Sequence, residues 1–214
     1  HKEYRRQRQM CIRDRPNGYR RPTICSNSWG WRNGYSFGSN TTVWRGGTYS
    51  HSGRSSTYGQ VNTYHGVRIP SVDADVADCI DAGVIVLGAA GNYYHKVDVP
   101  GGQDWDNTIN GEYYHRGSSP TGPIDGASSM ICVGALDQTE TDSKAVFSET
   151  GPAIDIYATG VMTLGAYANK AYYTNAIQDE RAAGYYLNKV SGTSQATPNV
   201  AGVAAIMAGM RPHY

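Results

Sequence analysis

No apolar run in this sequence approaches the roughly 20 residues that a membrane-spanning helix requires, so the sequence predicts no membrane partner. The four cysteines, Cys11, Cys25, Cys79 and Cys132, form no C-x-x-C pair, which argues against a zinc site. Cys79 and Cys132 fall within apolar patterns and are predicted to be buried free thiols. Charged residues make up only 17% of the chain, whereas 26 of its 214 residues are glycine. This composition predicts one folded domain that is rich in loops.

Positive charge is concentrated near the N-terminus, where residues 1–21 hold eight basic side chains: Lys2, Arg5, Arg6, Arg8, Arg13, Arg15, Arg20 and Arg21. A basic arm can bind nucleic acid, but the rest of the chain has more acidic than basic residues, so we predict no nucleic-acid partner. The stretch RRQRQMCIRDR resembles translated sequencing-adapter read-through at the edge of a metagenomic gene fragment. We therefore separate a basic segment, 1–22, whose first 15 residues or so are predicted to be non-native, from a domain at 23–214.

Apolar patterning predicts alternating strands and helices. Strands are predicted in TICSNSWG (23–30) and at 84–90, 130–136 and 153–158, and helices at 69–83 and from Ser194 through Ala208. For the first helix, Ser71 is the expected N-cap and Gly83 the C-terminal stop. Buried strands that follow helices are typical of a three-layer α/β fold with a mostly parallel central sheet. Polar stretches at 31–66, 93–129 and 161–189 are predicted to be long surface loops.

The sequence SGTSQATPNVAGVAA (191–205) resembles the active-site serine signature of the subtilisin-like serine proteases. Three more blocks resemble that family in the same order: SNSWG (26–30), DAGVIVLGAAGN (81–92), and ICVGALD with AVFSETGPAIDIYATG (131–160). Together these blocks cover most of residues 23–209. The resemblance implies a subtilisin-like fold, incomplete at both ends of this chain, and an endopeptidase that needs no organic cofactor.

The resemblance also implies a role for each matched residue. Ser194 would be the nucleophile, and the Ser194 backbone N–H and the Asn92 side chain would form the oxyanion hole. Two segments would flank the substrate's P1 residue, whose carbonyl is attacked, and hold an extended peptide along their exposed edges. They are Ser28, Trp29, Gly30 and Ala89, Ala90, Gly91. Pro198 is expected in the first turn of the serine helix, where its missing N–H does little harm.

Simpler interpretations remain open for these residues. Ser194 could cap the helix that follows it, because serine is a favoured N-cap. Asn92 could be an ordinary turn residue after a glycine, and Trp29 could fill the core. Asp98, Asp104, Asp106 and Glu112 could hold a structural calcium ion, although they lack EF-hand spacing and no calcium ligand can be assigned.

The base and the orienting acid of a catalytic triad are missing from the sequence. In the family the order is Asp, His, Ser, with D-[ST]-G and H-G-T-H motifs upstream of the block that resembles 26–30, and neither motif occurs here. His65 precedes a glycine but lacks the rest of the motif, so it is interpreted as a loop histidine, as are His51, His95 and His115. The chain alone is therefore predicted to be inactive.

The family resemblance favours a secreted monomer that acts on polypeptides. The competing hypothesis is a non-catalytic module that binds peptides or proteins in the same cleft. Retention of both Ser194 and Asn92 argues against this hypothesis, because binding alone requires neither residue.

Overall fold

The computed structural model describes residues 23–118, 130–139, 141–167 and 176–210. The basic segment 1–22 and the predicted adapter sequence lie outside these described residues. In chain order the elements are β1 (Thr23–Asn27), β2 (Trp31–Gly34), β3 (Ser39–Trp44), β4 (Gly47–Ser52), β5 (Tyr64–Val67), α1 (Pro70–Asp81), β6 (Val84–Ala89), β7 (Thr108–Ile109), β8 (Glu112–Tyr113), β9 (Ile131–Leu136), β10 (Ile156–Thr159), β11 (Thr163–Tyr167), β12 (Ile177–Gln178), β13 (Tyr186–Val190) and α2 (Thr193–Met210).

A four-stranded parallel sheet forms the centre of the domain, in the order β1-β6-β9-β10. The predicted strands at 23–30, 84–90 and 130–136 are confirmed, and the one predicted at 153–158 begins at Ile156 instead. β6 is buried along nearly its whole length, as expected for an inner strand of a parallel sheet.

The two helices cover opposite faces of this sheet because successive strand residues point to opposite sides. Val84 and Val86 of β6 pack with Val76 of α1. Leu87, which has the opposite parity, packs with Ala196 and Val200 of α2. The predicted three-layer α/β architecture is therefore present.

The predicted caps of α1 are partly wrong. Pro70 starts the helix, Ile69 is the N-cap without a side-chain cap, and Ser71 lies inside the first turn. Proline fits this position because the first helical N–H has no partner within the helix. Gly83 does follow the helix and has φ +79°, as the predicted stop requires.

The segment 31–66 is not a structureless surface loop. It contains β2 to β5, and β3 pairs with both β4 and β7, while β2 pairs with β5. Tyr35, Ile109 and Tyr114 form a separate small core under these strands. The segments 31–66 and 93–118 therefore pack together as a compact unit.

Residues 161–189 also contain regular structure. β11, β13 and β12 form an antiparallel sheet, and two residues separate the end of β13 at Val190 from the start of α2. The helix α2 extends to Met210 and leaves an apolar stripe exposed at i, i+3, i+4 and i+7, namely Val203, Ile206, Met207 and Met210. In the described part of the chain, no helix is long and apolar enough to cross a membrane.

Candidate active site

The candidate site lies where the carboxyl ends of β1 and β6 meet the N-terminus of α2. Asn27 and Gly88 are in register at the ends of the two strands, so the segments 28–30 and 89–91 leave the sheet side by side. Open parallel sheets place their sites at this edge. α2 packs against β1, β6, β9 and β10, which fixes its N-terminus next to both segments.

Thr193 holds the Asn92 side chain in one orientation. The Thr193 backbone N–H donates to Asn92 Oδ1 at 2.9 Å, and the Thr193 hydroxyl donates to the same oxygen at 3.0 Å. The hydroxyl in turn accepts a hydrogen bond from the Gly91 N–H at 3.2 Å. Because Oδ1 takes two donors, the Asn92 amide must present Nδ2 on its other side.

Two hydrogen-bond donors converge beside Gly192. A methyl group built on Gly192 would lie 3.5 Å from Asn92 Nδ2 and 3.6 Å from the Ser194 backbone nitrogen. Among the described residues, the Ser194 N–H donates to no acceptor, as is normal for the first turn of a helix. Gln195 Oε1 lies 2.8 Å from the same point, so this space becomes free for an oxyanion when the Gln195 side chain turns away. An oxyanion placed there would meet both donors and the positive end of the helix dipole.

Ser194 and Ser28 are joined by a pair of hydrogen bonds. The Ser194 hydroxyl donates to the Ser28 carbonyl at 3.2 Å, and the Ser28 hydroxyl donates to the Ser194 carbonyl at 2.9 Å. Ser194 is the second residue of α2, and its hydroxyl points away from the helix instead of capping it. The capping interpretation of Ser194 is therefore wrong.

Pro198 explains the second of these bonds. It lies in the second turn of α2, not in the first as predicted, since the helix begins at Thr193. In a regular helix the N–H of residue 198 would donate to the carbonyl of residue 194, but proline has no N–H. The Ser28 hydroxyl supplies the missing donor, and so ties the first turn of α2, which holds Ser194, to the end of β1.

No general base contacts Ser194 in the described residues. Its hydroxyl has the Ser28 carbonyl as partner, and no histidine or carboxylate is hydrogen-bonded to it. His51 lies in β4 and His65 in β5, so the interpretation of both as loop residues is wrong. His95 and His115 lie between strands, as expected.

The two segments that would flank the substrate differ in exposure. Ser28, Trp29 and Gly30 are exposed. The Trp29 side chain is 48% exposed and makes a T-shaped contact with the Trp31 ring, so Trp29 does not fill the core. Ala89, Ala90 and Gly91 are buried, and the Ala90 N–H already donates to Val133. The expectation of an exposed edge is therefore wrong for the segment 89–91, and peptide binding along the exposed segment 28–30 stays a prediction.

Ser118 links these two segments, and no motif in the sequence predicts this role. The Trp31 N–H donates to the Ser118 carbonyl at 3.0 Å, and the Ser118 hydroxyl donates to the Ala90 carbonyl at 3.5 Å. A side chain on Gly30 would collide with Ser118, which explains the glycine there. Ser118 is a buried neighbour of the cleft that lies in a segment predicted to be a loop.

Glu149 is the second residue that sequence reasoning missed. It is 1% exposed, and Oε1 would lie 2.7 Å from a methyl group on Gly91. Oε1 has no hydrogen-bond partner among the described residues. Burial raises the pKa of Glu149 to about 8, because the charged carboxylate is poorly solvated there.

A cluster of buried aromatic and imidazole rings lies under β2 and β5. Tyr35 stacks on His65 with 4.8 Å between ring centroids, and His95 and Tyr114 lie 5.9 and 6.5 Å from Tyr35. Burial, aided by the charge of His115, lowers the pKa of His65 and of His95 to about 4. These histidines are therefore neutral at pH 7 and act as packing groups.

The acidic loop at 98–112 does not fit a calcium site as arranged. Lys96 Nζ lies 3.1 Å from Asp98 Oδ2 and 2.8 Å from Asp104 Oδ2, and Arg45 pairs with Asp104 at 2.8 Å. The Arg45 hydrogen bond lowers the pKa of Asp104. These cations occupy the oxygens that a metal would need. The described residues contain no group of three or more His, Cys, Asp or Glu side chains that could hold a metal ion.

Comparison with known proteins gives one consistent result. A family model described as the subtilase family matches residues 10–214. Subtilisin-like protease 3 of Pseudogymnoascus destructans is 34% identical over 132 residues, which is 61% of this chain and 23% of that protein. The thermostable alkaline protease of Halalkalibacterium halodurans is 30% identical over 63% of this chain and 26% of its own length.

A longer match is to the subtilisin-like serine protease AsES of Sarocladium strictum, with 28% identity over 82% of this chain and 41% of that protein. The chain thus spans less than half the length of each of these relatives. The crystal structure of a cold-adapted subtilisin-like serine proteinase matches 69% of this chain and 40% of its own, with 24% identity and a TM-score of 0.42.

Proposed function

This chain belongs to the subtilase family, and on that premise we propose that it carries the nucleophile and the oxyanion hole of a serine-type endopeptidase. The observation that carries the proposal is the convergence of Asn92 Nδ2 and the Ser194 N–H on the space beside Gly192. A serine that only capped a helix would not require the Asn92 amide to be held beside it by two hydrogen bonds.

The proposed reaction proceeds through an acyl-enzyme. Ser194 Oγ attacks the carbonyl carbon of a peptide bond, and its proton passes to a general base while the carbonyl oxygen becomes an oxyanion. Asn92 and the Ser194 N–H stabilise that oxyanion. In subtilisin itself, a member of this family, loss of such a side-chain donor raises the barrier by about 2.7–4 kcal/mol.

We further propose that the histidine and aspartate come from polypeptide outside these 214 residues. Two features of the described structure support this. β1 is paired on one side only, with β6, and the apolar stripe of α2 is uncovered. Both surfaces would be covered by further parts of a larger domain, and both favour association of this chain in isolation.

The substrate would be an extended polypeptide that lies along the exposed segment 28–30. Before it can react, the Ser194 hydroxyl must leave the Ser28 carbonyl and donate to the base instead. The present geometry is therefore a resting one. A secreted location, as the family resemblance favours, is part of the same proposal.

The test compares the chain alone with the chain expressed together with its natural upstream sequence. Hydrolysis of a denatured fluorescent protein substrate should be absent for the chain alone and appear with the upstream part. Ser194→Ala should abolish it. Ser191→Ala is the matched control, because Ser191 is an exposed neighbour whose hydroxyl accepts from the Met162 N–H. Turnover by the chain alone that depends on Ser194 would contradict the missing-base proposal.

A non-catalytic peptide-binding module is the second candidate. The observation in its favour is that the Ser194 hydroxyl already has a partner and no base within the described residues. This candidate predicts peptide binding that Ser194→Ala does not change, and no hydrolysis even when the upstream sequence is present.

A further inference from the structure

The side-chain amide of Gln195 lies at the candidate oxyanion hole, and the proposed reaction does not yet use it. Gln195 is the third residue of α2, and helical side chains lean toward the N-terminus of their helix. Its Oε1 lies 2.8 Å from the point at which a methyl group on Gly192 would stand. The two donors already assigned, Asn92 Nδ2 and the Ser194 backbone nitrogen, lie 3.5 and 3.6 Å from this point. The Gln195 amide thus approaches the point more closely than either donor does.

A role in capping the helix does not explain this placement. Gly192 is the N-cap of α2, since the helix begins at Thr193 and the Gly192 carbonyl accepts from the Ala196 N–H at 3.4 Å. A glutamine three residues after an N-cap can reach back to the N-cap backbone N–H. Here that N–H donates to the Gly160 carbonyl at 2.7 Å instead. The bond that Gln195 could have made as a cap is therefore already made by another residue.

The Gln195 amide can reorient without losing a hydrogen bond. The side chain is half-buried, and among the described residues neither its Oε1 nor its Nε2 is hydrogen-bonded. The terminal torsion of a glutamine side chain is broad, so rotation about it readily exchanges the positions of the two atoms. An amide oxygen repels an oxyanion, whereas an amide N–H donates to it. A negative charge beside Gly192 therefore selects the orientation in which Nε2 faces the charge.

We propose that Gln195 Nε2 is a third donor of the oxyanion hole, beside Asn92 Nδ2 and the Ser194 N–H. This inference rests on the proposed function, because it requires that Ser194 Oγ attacks a carbonyl carbon. In the resting geometry the Gln195 side chain occupies the space beside Gly192. As the carbonyl oxygen enters, this side chain turns away, its amide rotates, and Nε2 donates to the oxyanion. The developing charge is then stabilised by one backbone N–H and two side-chain amides.

The test uses an ester without any peptide side chain, p-nitrophenyl acetate, so that preference at P1 does not affect the result. Its carbonyl oxygen becomes an oxyanion when Ser194 Oγ attacks. The chain with its natural upstream sequence is assayed, and the part of the rate that Ser194→Ala removes is the rate at this site. Gln195→Met keeps the length of the side chain and removes its N–H donor. Gln178→Met is the matched control, because Gln178 is exposed in β12.

We expect Gln195→Met to lower kcat/KM for the ester at least about tenfold, and Gln178→Met to leave it unchanged. Gln195→Glu should lower kcat/KM further at neutral pH, because an ionised carboxylate only accepts hydrogen bonds and repels the oxyanion. Urea unfolding should show equal stability for the wild type and Gln195→Met, since the Gln195 amide makes no hydrogen bond in the described structure.

Two results would overturn the inference while the proposed function stands. The first is a kcat/KM of Gln195→Met that equals or exceeds that of the wild type, because a side chain that only blocks the space is better removed. The second is full activity of Gln195→Glu, which decides the question even if Gln195→Met does not fold. In both cases Asn92→Ala should still lose activity. If no ester hydrolysis by the wild type depends on Ser194, the proposed function fails and this inference fails with it.

Discussion

Replacement of His65 by phenylalanine should make the domain more resistant to acid. His65 is 2% exposed, stacks on Tyr35, and neither ring nitrogen has a hydrogen-bond partner in the described structure. Phenylalanine can keep the stacking and removes two buried polar atoms, so the substitution sacrifices no hydrogen bond. It also removes a group that must stay neutral in the folded state.

The sign of the effect follows from the pKa of His65 in the two states. Burial lowers this pKa to about 4 in the folded protein, whereas an unfolded histidine has a pKa of about 6.5. The unfolded chain therefore binds the proton more readily, and stability is lost as the pH falls from 6.5 toward 4. Between pH 7 and pH 5 the linkage relation gives a loss of about 2 kcal/mol from this one group.

The assay is urea unfolding of the wild type and of His65→Phe at pH 7 and pH 5. The free energy of unfolding of the variant, relative to the wild type, should rise by about 2 kcal/mol between the two pH values. Because the protonation of His65 is coupled to that of His95 and His115, part of the pH-dependent loss of stability is shared with these two histidines. A difference between the two proteins that does not change with pH would refute the reasoning.

Two further predictions concern the site. The pKa of Glu149 in the folded protein, about 8, lies above its unfolded value, so the wild type loses stability as the pH rises. In the same urea assay, the free energy of unfolding of Glu149→Gln, relative to the wild type, should therefore rise by about 2–3 kcal/mol between pH 5 and pH 7. A pH-independent difference would count against a buried, unpaired carboxyl group. In the chain with its upstream sequence, Asn92→Ala should lower kcat by roughly 100- to 1000-fold with little change in KM. A raised KM with an unchanged kcat would place Asn92 outside the oxyanion hole.

The central sheet and its helices could be predicted from local patterns, whereas the strands of 31–66 could not. β6 is a short apolar run that follows a helix, and β9 is a short apolar run that follows a glycine-containing segment. Such runs have few interpretations other than a buried strand. β3 and β4 carry mainly polar residues, so their hairpin has no apolar alternation, and β3 also pairs with β7, more than 60 residues later. Such pairing leaves no periodic signal in the segment itself.

The same distinction applies to the site. Ser194 stands in a long motif, and Asn92 ends a second block that resembles the same family, so the sequence predicts both residues, although their roles stay a prediction. Ser118 and Glu149 are single polar residues in unremarkable surroundings, and only tertiary packing brings them beside Ala90 and Gly91. Ser71 was wrongly predicted to cap α1 because a proline directly before it already starts the helix.

The bond between Ser28 and Ser194 has a consequence for how the protein is made. The two residues are 166 positions apart, and the bonds between Asn92 and Thr193 join residues 101 apart. Contacts so distant in sequence form slowly, because the intervening chain must be ordered first. A ribosome-bound chain would therefore lack the geometry around Ser194 until α2 has emerged and docked.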